Sequence, residues 1–447
     1  MHLHENDGPR TRGTSSRQWQ AGLRLLLLIL AGCSSPQRPP NVVILVLDTV
    51  RADAIGASGV GGSLTPNLDR IASEGMVFSH AYSPAPWTVP AHGSLFTGQY
   101  PHRHGAIHGR YVLDASEVTL AEILRDHGYR TAGFTCNGWL HAQSGMEQGF
   151  QTYQEVYKDA RGEPDKGGRL ATERVQRFLK ERAGTTEPFF LFVNYFEAHL
   201  PYRPPPAVQA RVGLTPAARA RSIEDAEQVV VRGSISDPEQ ADGRALYLAE
   251  VAYLDDQVGA VRTALEDAGL LDETLLIVLA DHGELLGEHG LTGHEFALFE
   301  ELLHIPMLMR FPAKIAAGTV MSDPVCTIDV MPTILDLLHL PPSSDVAGVS
   351  VVSRPPDTDR DLLAEYARPQ KLIHDYWGRK YPEASLERFD VGLECVRAGS
   401  LKLIRSSRGA IQLFDLDADP REQQDLAATR SEEVARLTTQ LDRLSGR

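Results

Sequence analysis

The stretch Ala280-Asp281-His282-Gly283-Glu284 directly follows the apolar run Leu275 to Leu279, which has the length and composition of a buried strand. A second run of this kind, Val42 to Leu47, ends on Asp48. In open α/β sheets ligands bind at the carboxyl ends of the strands, so residues that follow two such strands can meet. The two stretches predict a divalent-metal site at one edge of a sheet. The alternative for Asp281 to Gly283 is a plain surface turn.

The ligand types narrow the choice of metal. Asp281 offers a carboxylate oxygen and His282 an imidazole nitrogen. This pair suits zinc or manganese better than calcium, which prefers oxygen ligands alone. We therefore expect one divalent ion, with zinc or manganese favoured and calcium still compatible. The alternative role of Asp48 is to cap a helix N-terminus, which is a common function of aspartate.

Strand-like runs alternate with helical patterns along the chain. The clearest strands are Val42–Leu47, Arg130–Thr135, Phe189–Val193 and Leu275–Leu279. A strong helix lies between the last two, because apolar residues recur there at spacings of three and four: Tyr247, Val251, Leu254, Val258, Val261 and Leu265. This alternation predicts an α/β domain with a largely parallel sheet flanked by helices.

The pattern changes after about residue 352. Cys395–Ile404 and Ile411–Leu416 are typical of short strands in a hairpin, and a final amphipathic helix follows, with apolar residues at Val434, Leu437, Leu441 and Leu444. We therefore predict a main domain over residues 41–389 and a small α+β subdomain over residues 390–447.

The N-terminus has the features of an export signal. Basic residues precede or enter a short apolar run, Leu25 to Leu30, and small residues follow it before Cys33. Leu-Ala-Gly before a cysteine resembles the bacterial lipobox, in which Cys33 becomes the lipidated first residue. We expect a lipoprotein signal peptide over residues 1–32, a tether over 33–40, and a protein attached to the membrane on its periplasmic or cell-surface face. The alternative is an ordinary signal peptide with a chance cysteine.

The composition excludes one class of partner. The formal net charge is −15, and residues 1–32 carry four arginines, so the exported chain is more acidic still. Such a chain is unsuited to nucleic acid, and any site for an anionic substrate must be locally positive. Apart from Cys33, only three cysteines remain, and their spacing matches no metal-binding motif.

Thr88 and two histidines are candidates for chemistry. Thr88 lies two residues before Pro90, near a predicted helix start, where the positive end of the helix dipole favours an anion or an ionised hydroxyl. The alternative is a simple N-cap. His199 and His294 follow a predicted strand and the predicted metal loop, and either can donate to an anionic oxygen or protonate a leaving group. The alternative is that each is an exposed loop histidine.

Further stretches form an ordered series along the chain: Thr65-Pro66-Asn67-Leu68-Asp69, Thr97 to Gly105, His199-Leu200-Pro201-Tyr202, Asp281 to Pro312, Ile328 to Thr333, and Asp415 to Glu422. Together they resemble the signature motifs of sulfatases, in the alkaline phosphatase superfamily. The resemblance implies a large mixed β-sheet wrapped by helices, with a small C-terminal sheet and one helix. It also implies that Asp48, Asp281 and His282 bind metal, that Thr88 stands at the nucleophile position, and that His199 and His294 contact the ester.

The departures from the family pattern are equally informative. Typical sulfatases carry C-x-P-S-R, or serine for cysteine, and convert that residue to formylglycine, whereas this chain has Thr88-Val89-Pro90-Ala91-His92. Threonine cannot yield formylglycine because its β-carbon carries a methyl group. His92 replaces the arginine that supports the nucleophile, and Thr49 replaces the second aspartate of the usual pair. Cys136-Asn137-Gly138-Trp139 stands where the family has G-K-W-H.

The remaining set of Asp48, Thr88, Asp281 and His282 is similar to that of single-metal relatives that use threonine, such as envelope phosphoethanolamine and phosphoglycerol transferases. The resemblance therefore implies that Thr88 is both a metal ligand and the nucleophile, with His92 in support. We expect a hydrolase of sulfate esters, such as sulfated glycans or aryl sulfates. The alternatives are a phosphodiesterase or phosphotransferase on envelope phosphate esters, and a non-catalytic lipoprotein that binds an anion or a glycan.

Overall fold

The computed structural model describes residues 38–58, 64–163, 165–220, 223–343, 345–355 and 357–447. The predicted signal peptide and Cys33 lie outside these residues. Residues 39–447 form one compact unit. Among the described helices, none has the length and apolar character needed to cross a membrane.

The strands within these ranges are β1 (Asn41–Leu47), β2 (Met76–Phe78), β3 (Ala81–Tyr82), β4 (Arg130–Thr135), β5 (Thr152–Glu155), β6 (Phe189–Tyr195), β7 (Thr274–Leu279), β8 (Leu285–Leu286), β9 (Thr292–Gly293), β10 (His304–Ile305), β11 (Met307–Arg310), β12 (Thr319–Met321), β13 (Val325–Cys326), β14 (Leu362–Tyr366), β15 (Leu393–Ala398), β16 (Leu401–Ser406) and β17 (Ile411–Asp415).

The helices are α1 (Pro66–Glu74), α2 (Thr88–Thr97), α3 (Pro101–His104), α4 (Leu120–Asp126), α5 (Val156–Asp159), α6 (Gly168–Arg182), α7 (Pro206–Arg211), α8 (Pro216–Arg219), α9 (Ile223–Arg232), α10 (Asp237–Asp267), α11 (Glu300–Leu303), α12 (Val330–Leu337), α13 (Gly378–Lys380) and α14 (Ser431–Ser445).

A mixed, mostly parallel sheet forms the centre of the molecule, with strand order β12-β2-β11-β7-β1-β6-β4-β5. Strands β7, β1, β6, β4 and β5 run parallel, while β11 is antiparallel to both β7 and β2. Every residue of β1, β6 and β7 is buried, as expected for parallel strands that are covered on both faces. The predicted fold class is confirmed.

Long amphipathic helices cover this sheet. Helix α10 begins with a capping box between Ser236 and Glu239, in which each side chain accepts from the other residue's backbone N–H. Its apolar stripe, which the sequence predicted from Tyr247 to Leu265, is buried, and the helix packs against α6 and α1. Tyr247 of this helix accepts from the backbone N–H of Arg51 at 2.8 Å and donates to the carbonyl oxygen of Thr49 at 2.9 Å, which ties α10 to the segment after β1.

The C-terminal sheet is antiparallel, with strand order β14-β15-β16-β17. It begins at Leu362, earlier than the predicted boundary at residue 390, because β14 is separated from β15 by a long excursion that hides its pairing from the sequence pattern. The predicted single strand Cys395–Ile404 is instead two strands joined by a turn at Gly399, where φ is +61°. Lys402, 1% exposed, joins this sheet to Glu300 of the main domain, and it also pairs with Glu422 of the C-terminal subdomain.

Candidate active site

Two carboxylates meet because β1 and β7 are parallel and in register. Val46 of β1 pairs with Leu279 of β7. Asp48 and Asp281 each follow two residues later, so they leave the sheet at the same height on adjacent strands. Both side chains are buried. The structure therefore brings together the two aspartates that the sequence placed at strand ends.

In each aspartate, one carboxylate oxygen accepts hydrogen bonds and the other has no hydrogen-bond partner among the described residues. Asp48 Oδ2 accepts from Asn137 Nδ2 at 2.7 Å and from Asn194 Nδ2 at 3.1 Å. Asp281 Oδ1 accepts from the backbone N–H groups of Thr49 at 3.2 Å and His282 at 3.0 Å. Asp48 Oδ1 and Asp281 Oδ2 are buried and have no hydrogen-bond partner among the described residues.

His282 provides a third atom without a hydrogen-bond partner, Nε2, close to these two carboxylate oxygens. Its Nδ1 lies 2.9 Å from the carbonyl oxygen of Gly283. A carbonyl can only accept, so Nδ1 carries the proton and Nε2 carries a lone pair. This Nε2 lies 3.3 Å from Asp281 Oδ2, with no hydrogen bond between them.

A cation resolves this arrangement of facing lone pairs. One ligand atom from each of Asp48, Asp281 and His282 lies within 4.8 Å of the others. Buried acceptors that face one another without a proton repel, and each costs the free energy of its lost solvation. One divalent ion would satisfy all three atoms, since carboxylate oxygens and an imidazole nitrogen are common ligands of such ions. These three residues form a candidate metal site.

The raised pKa values of the two carboxylates also favour a bound cation. Burial raises the pKa of Asp48 to about 6, against the hydrogen bonds from Asn137 and Asn194. Burial, together with the neighbouring charge of Asp48, raises the pKa of Asp281 well above its usual range. Ionising both groups therefore requires a nearby positive charge, which a divalent ion supplies.

Thr88 lies beside this cluster at the first position of α2, after the cap residue Trp87. Its hydroxyl oxygen accepts from Asn137 Nδ2 at 3.1 Å, and the same amide donates to Asp48 Oδ2. Thr88 Oγ1 and a metal-facing aspartate are thus joined by one side chain. The helix N-terminus places the hydroxyl in a positive backbone field.

Asn137 and Asn194 were not identified from the sequence. Asn194 belongs to β6 and pairs with Val46, while Asn137 comes two residues after β4. The side-chain oxygen of Asn194 also accepts from the backbone N–H of Asn137 at 3.1 Å, so the two amides hold each other in place. The available signal was position alone, since both lie at the carboxyl ends of predicted strands.

His92 contacts the backbone of Thr88 rather than its hydroxyl. Its Nδ1 donates to the Thr88 carbonyl oxygen, one helical turn back, at 2.9 Å. The ring is fully buried and lies edge-on to Phe96 and Phe192. Burial lowers the pKa of His92 to about 4, so the ring is neutral. His92 can therefore hold Thr88 in position, but it supplies no positive charge like that of an arginine.

His294 and His199 line the other side of the candidate metal site. The His294 ring centroid lies 4.7 Å from that of His282 and 4.8 Å from that of His199. Burial opposes a positive charge on His294, but its hydrogen bond at 3.0 Å and ion pair with Glu284 outweigh this and raise its pKa. Burial lowers the pKa of His199 well below its usual range, so this ring is neutral.

Glu284 links two of the sequence motifs. Its second oxygen accepts from Tyr202 Oη at 3.0 Å and from the backbone N–H of Leu200 at 3.2 Å. The stretch from His199 to Tyr202 is thereby held against the loop that carries His282. Three predicted residues, Asp48, Asp281 and His282, converge on one point. Thr88 is joined to Asp48 through Asn137, and His294 and His199 follow beside His282.

A separate cavity of about 1540 Å³ lies on the other side of the metal loop, towards the C-terminal sheet. Arg51, Glu288 and Arg421 are among its lining residues. Asp48, Thr88, Asp281 and His282 are not. The volume of this cavity is therefore not a measure of the candidate active site.

Family comparisons agree with this architecture. The sulfatase family model matches residues 40–340, and a model described as N-sulphoglucosamine sulphohydrolase, C-terminal, matches residues 287–446. The proteins that these models describe are ester hydrolases. The chain belongs to the sulfatase family.

Individual relatives are distant but similar over most of their length. An N-acetylglucosamine-6-O-sulfatase of Bacteroides thetaiotaomicron is 24% identical over 90% of this chain and 85% of its own. A solved structure in complex with its substrate D-glucosamine-2-N,6-O-disulfate has a TM-score of 0.74 at 21% identity, covering 92% of this chain and 98% of its own. A phosphonate monoester hydrolase from Silicibacter pomeroyi also has a TM-score of 0.74, at 21% identity over 90% of this chain and 94% of its own.

Removal of the metal is expected to destabilise the protein more at pH 7.5 than at pH 5. A ligand that binds only the folded state adds about 4 kcal/mol at about 1,000 times its Kd. In the metal-free state the pKa of Asp48 is raised to about 6, so stability that is present at low pH is lost as the pH rises through that value. Melting temperatures with and without a chelator at both pH values measure this. No shift at either pH would contradict the metal assignment, and an equal shift at both would contradict the raised pKa of Asp48 in the metal-free state.

Replacement of Asn137 is expected to slow turnover without unfolding the protein. Asn137→Ala removes the shared donor to Thr88 and Asp48, and loss of such a partner typically costs about 10–100-fold in activity or metal affinity. Asn67→Ala is a matched control, because the Asn67 amide donates to the carboxylate of Asp255 away from the site. Steady-state kinetics and metal content of both variants make the comparison. Equal kcat values in the two variants would show that the Asn137 amide does not contribute to turnover.

Proposed function

We propose that the protein hydrolyses a sulfate ester with the Thr88 hydroxyl as nucleophile and one divalent ion as cofactor. The observation that carries this proposal is the set of bare buried ligand atoms on Asp48, Asp281 and His282 beside a hydroxyl at a helix N-terminus. Thr88 itself completes the ligand set. Zinc and manganese are favoured because one ligand is an imidazole nitrogen.

The residues around Thr88 have distinct tasks in this proposal. A bound divalent ion would act as a Lewis acid that lowers the pKa of the hydroxyl and neutralises the ester oxygens. Asn137 donates to the hydroxyl oxygen, which stabilises negative charge on that oxygen. The hydroxyl proton therefore points away from the Asn137 amide nitrogen. His92 fixes the first turn of α2 through the Thr88 carbonyl. Thr88 then attacks sulfur and loses its hydroxyl proton to solvent, while the sulfur–oxygen bond to the organic group breaks and the alcohol leaves. In a second step water attacks sulfur of the threonine sulfate, which releases the Thr88 hydroxyl and hydrogen sulfate.

His294 is suited to handle the leaving group. Its Nδ1 donates to Glu284, which orients the ring and favours the protonated form, so that Nε2 can give a proton to the departing oxygen. His199 stays neutral next to it, with Nδ1 donating to the Leu200 carbonyl at 2.5 Å. His199 can therefore orient an ester oxygen without adding charge.

The charge of the site favours a monoanionic ester. In the part of the chain that the structure describes, no ion pair joins Asp48 or Asp281 to a lysine or arginine, and His92 and His282, which lie close to Asp281, are neutral. Arg51, which follows β1, pairs instead with Asp53 and Glu288. Sulfate esters carry one negative charge, but so do phosphodiesters and phosphonate monoesters. Phosphonate monoesters or phosphodiesters are therefore the second candidate substrates.

The Thr88→Ala variant tests the nucleophile. Loss of a covalent nucleophile should lower kcat by at least about 10³-fold on 4-nitrophenyl sulfate, or on the matching phosphonate monoester if that is the preferred substrate. Thr88→Ser keeps a hydroxyl and should retain a measurable part of the rate. Intact-mass analysis of the wild-type peptide should show unmodified threonine. An active Thr88→Ala variant would refute the proposal.

We also propose that the protein is exported and anchored to the membrane through lipidated Cys33. The support is the basic, apolar and small-residue series that ends at this cysteine. In a bacterial host, Cys33→Ser should move the protein from the membrane fraction to the soluble fraction and abolish labelling with a radioactive fatty acid. An unchanged distribution of the variant would disprove the anchor.

A further inference from the structure

Four aromatic rings form a continuous cluster next to Thr88, which we call the aromatic wall: Trp87, His108, Tyr111 and Trp139. Trp87 stacks on His108 with ring centroids 4.2 Å apart, and Tyr111 stacks on Trp139 at 5.5 Å. Trp87 meets Tyr111 and Trp139 edge to face at 5.8 Å and 6.1 Å. Stacked and edge-to-face pairs at these distances stabilise one another, so the wall is a defined surface.

The inner and outer members of the wall differ in exposure. Trp87 is 5% exposed, whereas Trp139 is 47% exposed. Val112, directly after Tyr111 in the chain, is also exposed. Burial of an indole would stabilise the fold, so a half-exposed tryptophan that packs on other rings leaves one apolar face free for a ligand.

The wall is connected to the nucleophile by short links. Trp87 is the residue before Thr88, and the backbone N–H of Trp139 donates to Asn137 Oδ1 at 2.9 Å. The amide of Asn137 donates to Thr88 Oγ1 at 3.1 Å. Trp139 N and Thr88 Oγ1 are therefore separated by one amide group and two hydrogen bonds, at most roughly 8 Å. Trp139 therefore borders the place where an ester bound at Thr88 would carry its organic part.

The support behind the wall fixes it before any ligand arrives. His108 lies edge-on to the buried Tyr366 of β14, at 5.0 Å between ring centroids. Burial lowers the pKa of His108 to about 3, so the inner layer is uncharged. A rigid and neutral surface binds an apolar face with little loss of side-chain entropy.

We propose that the exposed face of Trp139, which Tyr111 supports from the other side, is a subsite that binds a six-membered ring in the organic part of the ester. The proposal rests on the proposed function for the place where the ester lies. The shared chemistry is a ring that offers a flat apolar face. An aryl ring offers its π-face, and a pyranose offers its axial C–H groups.

Three sulfonates test the subsite without turnover, because their C–S bond is not hydrolysed. Benzenesulfonate carries an aryl ring, 6-deoxy-6-sulfoglucose carries a pyranose, and methanesulfonate carries no ring. Isothermal titration of the metal-loaded protein gives a Kd for each. We expect at least one ring compound to bind about fivefold tighter than methanesulfonate, as one stacking contact predicts, and the tighter of the two identifies the kind of ring.

Variants of the wall make the test decisive. In Trp139→Ala the ratio of the ring-free Kd to the ring Kd should fall from about 5 to about 1, and Trp139→Phe should restore part of this preference. Val320→Ala, which shortens an exposed apolar side chain on β12, should keep the wild-type ratio. Equal Kd values for all three sulfonates in the wild type, or a ratio unchanged in Trp139→Ala, would overturn the subsite. Neither result depends on Thr88 chemistry, which the Thr88→Ala kinetics judge separately.

Discussion

The parallel register between β1 and β7 is the constraint on which the candidate site depends. It places Asp48 and Asp281 side by side at the end of two fully buried strands. Backbone and amide donors then satisfy one oxygen of each carboxylate and leave the other towards His282 Nε2. A slip of one residue between these strands would turn one aspartate away, so the apolar sheet interior determines the geometry of the polar edge.

The residues at the strand ends could be predicted because clear apolar runs identify the strands and the candidate ligands stand at their carboxyl ends. Val42–Leu47 and Leu275–Leu279 are uninterrupted apolar runs, and each is followed by a residue of ligand type. The supporting amides were not predictable. Asn137 and Asn194 have no periodicity that distinguishes them from other loop and strand asparagines, and their role appears only when β4, β6 and β1 are laid side by side.

The structure differs from two of our predictions, and both differences have physical causes. His92 was expected to act on Thr88, and it does contact that residue, but the spacing of four residues in a helix directs its ring to the carbonyl of the preceding turn. The boundary at residue 390 was set by a change of pattern, whereas β14 pairs with β15 across an excursion of more than twenty residues. Pairing between distant segments leaves no local trace in composition.

The ion pairs of Lys402 restrict which segments this protein can exchange with its relatives. It lies 3.0 Å from Glu300 and 2.9 Å from Glu422, and Glu300 begins the short helix whose Leu302 carbonyl accepts from the backbone of Gly283, beside His282. A chimera that exchanged the C-terminal subdomain, which carries Lys402 and Glu422, for one without this lysine would leave Glu300 without its cation, next to the loop of His282. The lysine and both glutamates therefore have to be inherited together, and recombination between relatives is restricted at this seam.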